Sequence, residues 1–237
     1  MLSKLEIAVL RNEMFDIIAK KRFPREALER ICITEEDSVV INNIINRTKP
    51  HCILEVGSYV GVSTCLLAMK APWAKVVAID PNFSVLGDVI KHNSEVKDNS
   101  RDFYEELVDY YRLRERVERY DNYFSCFPAE STLNFHSLYN SKILEVQVID
   151  EEILKSRAPF DLIFIDGDHN SSSVFSDLLR AYRYISNNGV ILLHDMDGDW
   201  GEKVKRGVAQ FLEGHPDLKL DINGNIGIIE MENVYRE

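Results

Sequence analysis

The chain has 237 residues, 45% of them apolar, and a formal net charge of −11. That length and apolar fraction suit a single domain, and the negative charge disfavours a nucleic-acid partner, whose phosphates it would repel. No apolar run approaches the ~18 residues of a membrane span, and acids appear too early in the N-terminus for a secretory leader. The four cysteines, Cys32, Cys52, Cys65 and Cys126, lack C-x-x-C spacing. They read as free thiols in a reducing compartment, so a soluble, cytoplasmic protein without a membrane partner is expected.

Taken in chain order, residues 2–20 place Leu2, Leu5, Val9, Leu10, Phe15, Ile17 and Ile18 at helical spacing. The spacing predicts an amphipathic helix that packs on the main domain or on a second subunit, within a helical extension covering residues 1–33. Thr34-Glu35-Glu36-Asp37 predicts a helix start, with Thr34 as N-cap and Asp37 at N3. That helix carries Val40, Ile41, Ile44 and Ile45 and stops before Pro50. A strand at 51–57, a glycine turn, a helix at 61–70 and a strand at 75–80 follow. Strand–helix–strand with continuous apolar strands predicts a parallel sheet buried on both faces.

The glycine turn is the most informative stretch. The run Ile53-Leu54-Glu55-Val56 ends in Gly57-Ser58-Tyr59-Val60-Gly61, and Asp80 ends the next strand nineteen residues after Gly61. A close-approach loop, a helix start near Ser63-Thr64 and a carboxylate would surround one crevice at the edge of such a sheet. The dinucleotide pattern G-x-G-x-x-G is absent, so one anionic group rather than a pyrophosphate is to be cradled.

Between 82 and 150 the reading is open. Phe103, Leu107, Tyr110, Tyr111, Arg114 and Val117 predict one long helix, and a strand falls either at 116–121 or at 143–149. The cluster Arg112, Arg114, Arg116 and Arg119, interrupted by Glu115 and Glu118, reads as a solvated helix face. Asp80 and Asp166 are 86 residues apart, far more than the ~30 of one βαβ unit. The segment therefore contains a largely helical insertion, expected to shape substrate entry or homo-oligomer contacts.

Beyond it come a buried strand at 160–166, a helix at 172–185 ended by Asn188-Gly189, a strand at 189–193 and a helix at about 202–213. A hairpin on Asn223-Gly224 closes the chain. These elements predict an α/β, doubly wound, Rossmann-like fold in one domain over residues 1–237, its sheet mixed by the terminal hairpin.

Leu54-Glu55-Val56-Gly57-Ser58-Tyr59-Val60-Gly61-Val62-Ser63-Thr64, Asp80, Asp166-Gly167-Asp168-His169 and Gly189-Val190-Ile191-Leu192-Leu193-His194-Asp195 together carry a resemblance. The chain resembles class I S-adenosylmethionine-dependent methyltransferases, in particular the catechol O-methyltransferase-like and small bacterial O-methyltransferase branch. The resemblance spans Thr34 to Met231 and is weak between 82 and 150. It implies a seven-stranded sheet of order 3-2-1-4-5-7-6. It also implies that Gly57, Tyr59 and Gly61 lie against the methionine part of the cofactor, Ser63 holds its carboxylate and Asp80 its ribose hydroxyls. Glu55 and Asp166 complete the implied cofactor-binding set, although buttressing of the turn is an equal reading for Glu55.

Asp166 and Asp195 each end an apolar strand. If those strands are neighbours, the carboxylates project from one edge about 5 Å apart and need a shared proton or a cation. The resemblance implies a Mg²⁺ site there that also binds the acceptor hydroxyl. Met196 stands where an Asn ligand is expected, so a third ligand has to come from Asp168, Asp197, Asp199 or water. His169, three residues after Asp166, stands where those enzymes carry a lysine base; with a pKa near ~6.5 it suits proton abstraction, with Asp166 as its catalytic partner. Strand alternation points His194 to the opposite face, in a supporting role. Trp200 and Tyr59 are candidates to line the pocket. The expected reaction is methylation of a small hydroxylated molecule. The alternatives are an NAD-dependent oxidoreductase, for which no pyrophosphate loop is found, and a non-catalytic cofactor-binding module.

Overall fold

The fold was analysed in a computed structural model, which describes residues 3–21, 23–81, 100–125 and 148–231. Three helices lead in: α1 (Lys4–Ala19), α2 (Arg25–Ile31) and α3 (Glu35–Thr48). The sheet then builds through β1 (Cys52–Val56), α4 (Val62–Lys70), β2 (Lys75–Ile79), α5 (Ser100–Tyr110) and β3 (Val117–Tyr120). It continues with α6 (Glu151–Arg157), β4 (Phe160–Ile165), α7 (Ser171–Tyr184), β5 (Ile185–Leu193), α8 (Gly198–Glu213), β6 (Leu220–Asn223) and β7 (Ile226–Glu230). The seven strands lie in the order β3-β2-β1-β4-β5-β7-β6. β1 to β5 pair in parallel, and β7 runs antiparallel to both β5 and β6.

Alternation along the strands divides the core. Ile53, Val76, Leu162 and Leu192 join one apolar cluster with α1, α3, α4 and α5; Leu54, Val77, Ile163 and Ile191 join the other with α7 and α8. β1, β2, β4 and β5 are therefore buried on both faces, which explains their continuous apolar sequences, whereas the edge strand β3 is only partly buried. The N-terminal helix packs on this domain through Ile7, Met14, Phe15, Ile17 and Ile18, leaving Leu5 and Val9 exposed. At α3 the expected cap is present: Thr34 Oγ1 accepts from the Asp37 amide while the Asp37 carboxylate accepts from the Thr34 amide. Among the described residues, no helix is long and apolar enough to cross a membrane.

Four expectations are corrected. The helix read as Phe103 to Val117 stops at Tyr110, because Arg112 turns left-handed (φ 55°) and Leu113 folds back to donate to the Val108 carbonyl. Of the two placements for the third strand, Val117–Tyr120 pairs with β2, whereas 143–147 lies outside the described residues. The arginine cluster is therefore not one solvated helix face: the Arg119 side chain is 2% exposed, and Arg116 donates to the Ala68 and Ala71 carbonyls. Asn188-Gly189 does not end α7. Ile185 already leaves the helix extended and pairs with Phe160, so the two residues sit inside β5 at a register shift. Finally, Asn223 pairs with Ile226, which makes the hairpin loop Gly224-Asn225, one residue later than read; Gly224 supplies the positive φ of 60° that a tight hairpin needs.

The described ends of the 82–150 region are tied to α7. Arg180, almost fully buried, donates to the Phe124 carbonyl and, at 2.8 Å, to the Ile149 carbonyl, while Ser125 bonds the buried Asp177. Of the cysteines, Cys65 is buried, Cys32 and Cys52 are half-buried, and Cys126 lies outside the described residues.

Candidate active site

The carboxyl ends of β1, β2, β4 and β5 share one edge of the sheet, and the residues singled out from sequence gather there. Gly57 donates to the Ile79 carbonyl at 2.8 Å, and Asp166 donates to the Val56 carbonyl at 2.8 Å. Gly57 has φ +87°, and a Cβ there would overlap the Asp166 carbonyl and sit 2.9 Å from the Gly167 Cα. The close approach that demands glycine is thus between two segments of the protein itself. Gly61 precedes α4, with the Tyr104 ring where its Cβ would point.

Below the loop, Glu55 is completely buried and accepts from the Thr64 hydroxyl. Burial pushes its carboxyl up to about 8, against the lowering pull of the Ser63 and Thr64 hydroxyls. Ser63 itself is buried in the first turn of α4, where the unpaired backbone N–H groups of a helix start lie. Asp80 is buried at the end of β2, where its Oδ2 accepts from the Tyr59 amide at 2.7 Å and its Oδ1 from Arg119 at 3.2 Å.

The second cluster forms between β4 and β5. One ligand atom from each of Asp166, His169 and Asp195 lies within 4.8 Å of the others. His169 Nε2 is 2.6 Å from Asp195 Oδ2, and its ring stacks on Trp200 at 5.2 Å. His194 follows the alternation, since Leu192 and Leu193 face opposite clusters and His194 packs against Phe164 and Asp37 on the Leu192 side, yet it still reaches both acids. Its Nδ1 is 3.1 Å from Asp166 Oδ1 and 3.3 Å from Asp195 Oδ2, and its Nε2 is 3.2 Å from Asp37 Oδ2. The irregular residue is Asp195, beyond the end of β5 at Leu193, with a left-handed φ of 57° that an aspartate tolerates. Asn225, from the hairpin loop, donates to Asp195 Oδ1 at 3.3 Å.

The electrostatics follow from this packing. Burial opposes charge on Asp195, yet the hydrogen bonds of His169 and His194 hold it well below the usual carboxylate range. Burial alone would lower both histidines; the Asp195 hydrogen bond raises His169, and the field of Asp166 raises His194. In the free protein both imidazoles are held towards the cationic form. Met196 is fully buried against Gly227, and the Asp168 carboxylate is engaged by Asn170 and Ser173. Asp166 and Asp195, with His169 beside them, nevertheless make a donor set that fits a divalent cation.

Sequence reasoning missed Asp37, Arg119 and Asn225. Asp37 looked like a helix-capping residue and is one, but the same carboxylate also reaches His194. Asn225 carried only a turn signal, and Arg119 was hidden in a stretch whose strand was undecided.

The family model described as "Methyltransferase domain" matches residues 54–196. No curated protein sequence matches the chain. Among solved structures, cofactor-bound Rv0187 from MTB superposes with a TM-score of 0.59 at 17% identity, covering 96% of this chain and 90% of that one. A putative O-methyltransferase from Klebsiella pneumoniae gives 0.58 at 15% identity, covering 94% and 90%. TomG from Streptomyces achromogenes, an O-methyltransferase in complex with SAM, gives 0.56 at 12% identity, also covering 94% and 90%. Such identities establish a shared fold, whereas the family match covers the glycine loop, Asp80 and the Asp166–Asp195 edge in one span. The chain belongs to the methyltransferase domain family and has the class I methyltransferase fold.

Proposed function

We propose that the protein methylates a hydroxyl oxygen of a small molecule, binding S-adenosylmethionine over the Gly57–Ser63 loop with its ribose at Asp80. The observation that supports this reading most directly is the convergence of Asp166, His169 and Asp195 beside that loop. S-adenosylmethionine supplies an electrophilic methyl group on a sulfonium. The chain supplies the rest. Asp195 orients His169 through Nε2, which leaves Nδ1 to take the acceptor hydroxyl proton as the oxygen attacks. Trp200, 47% exposed at the mouth, offers an aromatic wall against which the acceptor can be held. Asp37 and Asp166 keep His194 in place, and its positive charge offsets the carboxylates that face the reacting oxygen. Asp166 and Asp195 would hold a Mg²⁺ ion, which would lower the hydroxyl pKa and fix its orientation.

Calorimetry with S-adenosylmethionine and with NAD, followed by turnover on a panel of hydroxylated acceptors, tests this reading. Binding of S-adenosylmethionine but not NAD, with methyl transfer to oxygen, is expected. Binding of NAD alone would overturn it. Cofactor binding with no transfer to any hydroxyl would remove the oxygen acceptor from the proposal.

A further inference from the structure

We propose that Arg119 is a positioning residue for the nucleoside end of the cofactor, fixing Asp80 and the Tyr59 backbone in the arrangement that receives the ribose. The proposal rests on the S-adenosylmethionine reading above. Arg119 lies in β3 beside Ala78 of β2, and its side chain is 2% exposed. Its guanidinium donates to the Tyr59 carbonyl at 2.7 Å, Asp80 Oδ1 at 3.2 Å, Ser100 Oγ at 3.1 Å and Asp121 Oδ1 at 3.0 Å. It also sits 4.6 Å from the centre of the Tyr104 ring, the ring that packs against Gly61.

Two of these bonds close a circuit with a third. The Tyr59 amide donates to Asp80 Oδ2, Arg119 donates to Asp80 Oδ1, and Arg119 donates to the Tyr59 carbonyl. The two peptide groups on either side of the Tyr59 Cα are thereby tied to the acid that ends β2, one directly and one through Arg119. Tyr59 needs such restraint, because its φ of 42° is costly for a bulky side chain. Burying a guanidinium is also costly unless its donors are used, and here the fork spans two strands, the loop and α5. A carboxylate offers about four lone-pair sites, so two bonds orient Asp80 without exhausting it. Only a planar fork with several fixed donors bridges these acceptors, and a lysine could not reproduce it.

The test compares the affinity of S-adenosylhomocysteine with that of its 2′,3′-dideoxy counterpart by calorimetry, in the wild type, Arg119→Met and Arg119→Lys. Losing a residue that orients a ligand-binding group costs about 10- to 100-fold. The wild type is expected to prefer the intact ribose, and Arg119→Met to lose most of that preference, with the ratio of the two affinities falling about tenfold. Arg119→Lys, which keeps the charge but not the fork, should fall in between. An unchanged ratio with both ligands weakened equally would assign Arg119 to general stability and overturn the proposal. Tighter binding in Arg119→Met would also overturn it, since the arginine would then compete with the ribose. If the methionine variant does not fold, the ratio in Arg119→Lys decides on the same criterion. Failure of the wild type to bind S-adenosylhomocysteine would refute the cofactor reading itself, an outcome distinct from binding with an unmoved ratio.

Discussion

Replacing Gly57 by alanine tests whether the site edge depends on protein-to-protein contact. Two costs add. An L-residue at φ +87° forfeits about 1–2 kcal/mol relative to glycine. A Cβ at this position would also lie 2.6 Å from the Asp166 carbonyl carbon and 2.9 Å from the Gly167 Cα, which are backbone atoms that cannot rotate away. Forcing the segments apart adds about 1–3 kcal/mol, and the smaller entropy of the unfolded alanine chain returns ~0.4–1. The net expectation is about 2–4 kcal/mol, or roughly 4–16 °C in melting temperature for a chain of this size. Gly224→Ala is the matched control, since its φ is +60° and nothing lies within 4 Å of the added methyl; it should cost only ~1 kcal/mol. Urea unfolding of both variants measures the difference, which isolates the packing contribution. If Gly57→Ala costs no more than Gly224→Ala, the β1–β4 crossing is not as tight as described and the reasoning fails.

Asp80→Ala should weaken S-adenosylmethionine binding about 10- to 150-fold, as expected for lost bonds to a charged acceptor; a change under about twofold in a variant with wild-type circular dichroism removes the ribose assignment. His169→Ala should lower turnover roughly 10²- to 10⁴-fold at nearly unchanged cofactor affinity. The wild-type rate should rise with pH through an inflection above ~6.5, because Asp195 raises the histidine. A raised histidine stabilises the fold fully below its unfolded value of ~6.5, and that contribution is lost as pH climbs through the folded value. A wild-type inflection retained in His169→Ala would exclude it as the base. Chelation should abolish turnover and Mg²⁺ or Mn²⁺ restore it if Asp166 and Asp195 share a cation; indifference to chelator leaves the two acids as hydrogen-bond acceptors.

The sheet order was implied by the family resemblance; within that order, the clustering of Asp166, His169 and Asp195 followed from strand ends that the sequence marks clearly, apolar runs closed by acids. Strand ends also explain the failures. The contact of His194 with the acids was missed because Asp195, beyond the end of β5, turns left-handed and leaves the alternation. The helix around Phe103 was read too long because the break at Arg112 depends on a left-handed turn by a residue with no turn signal of its own. Asp37 and Arg119 reach the site from elements distant in sequence, and pairwise contacts of that kind leave no periodic trace. The glycine loop was legible as a loop, but the reason for Gly57 was not: a crowding carbonyl from β4 cannot be inferred from spacing.

Arg180 ties the Phe124 and Ile149 carbonyls, far apart in the chain, to one side chain of α7. Both contacts draw on one guanidinium, so they stand or fall together. A change at Arg180 would release the two carbonyls at once, and a buried carbonyl left without a donor costs about 1–3 kcal/mol. One side chain of α7 thus acts as a clasp, coupling two distant points of the chain so that neither loosens alone.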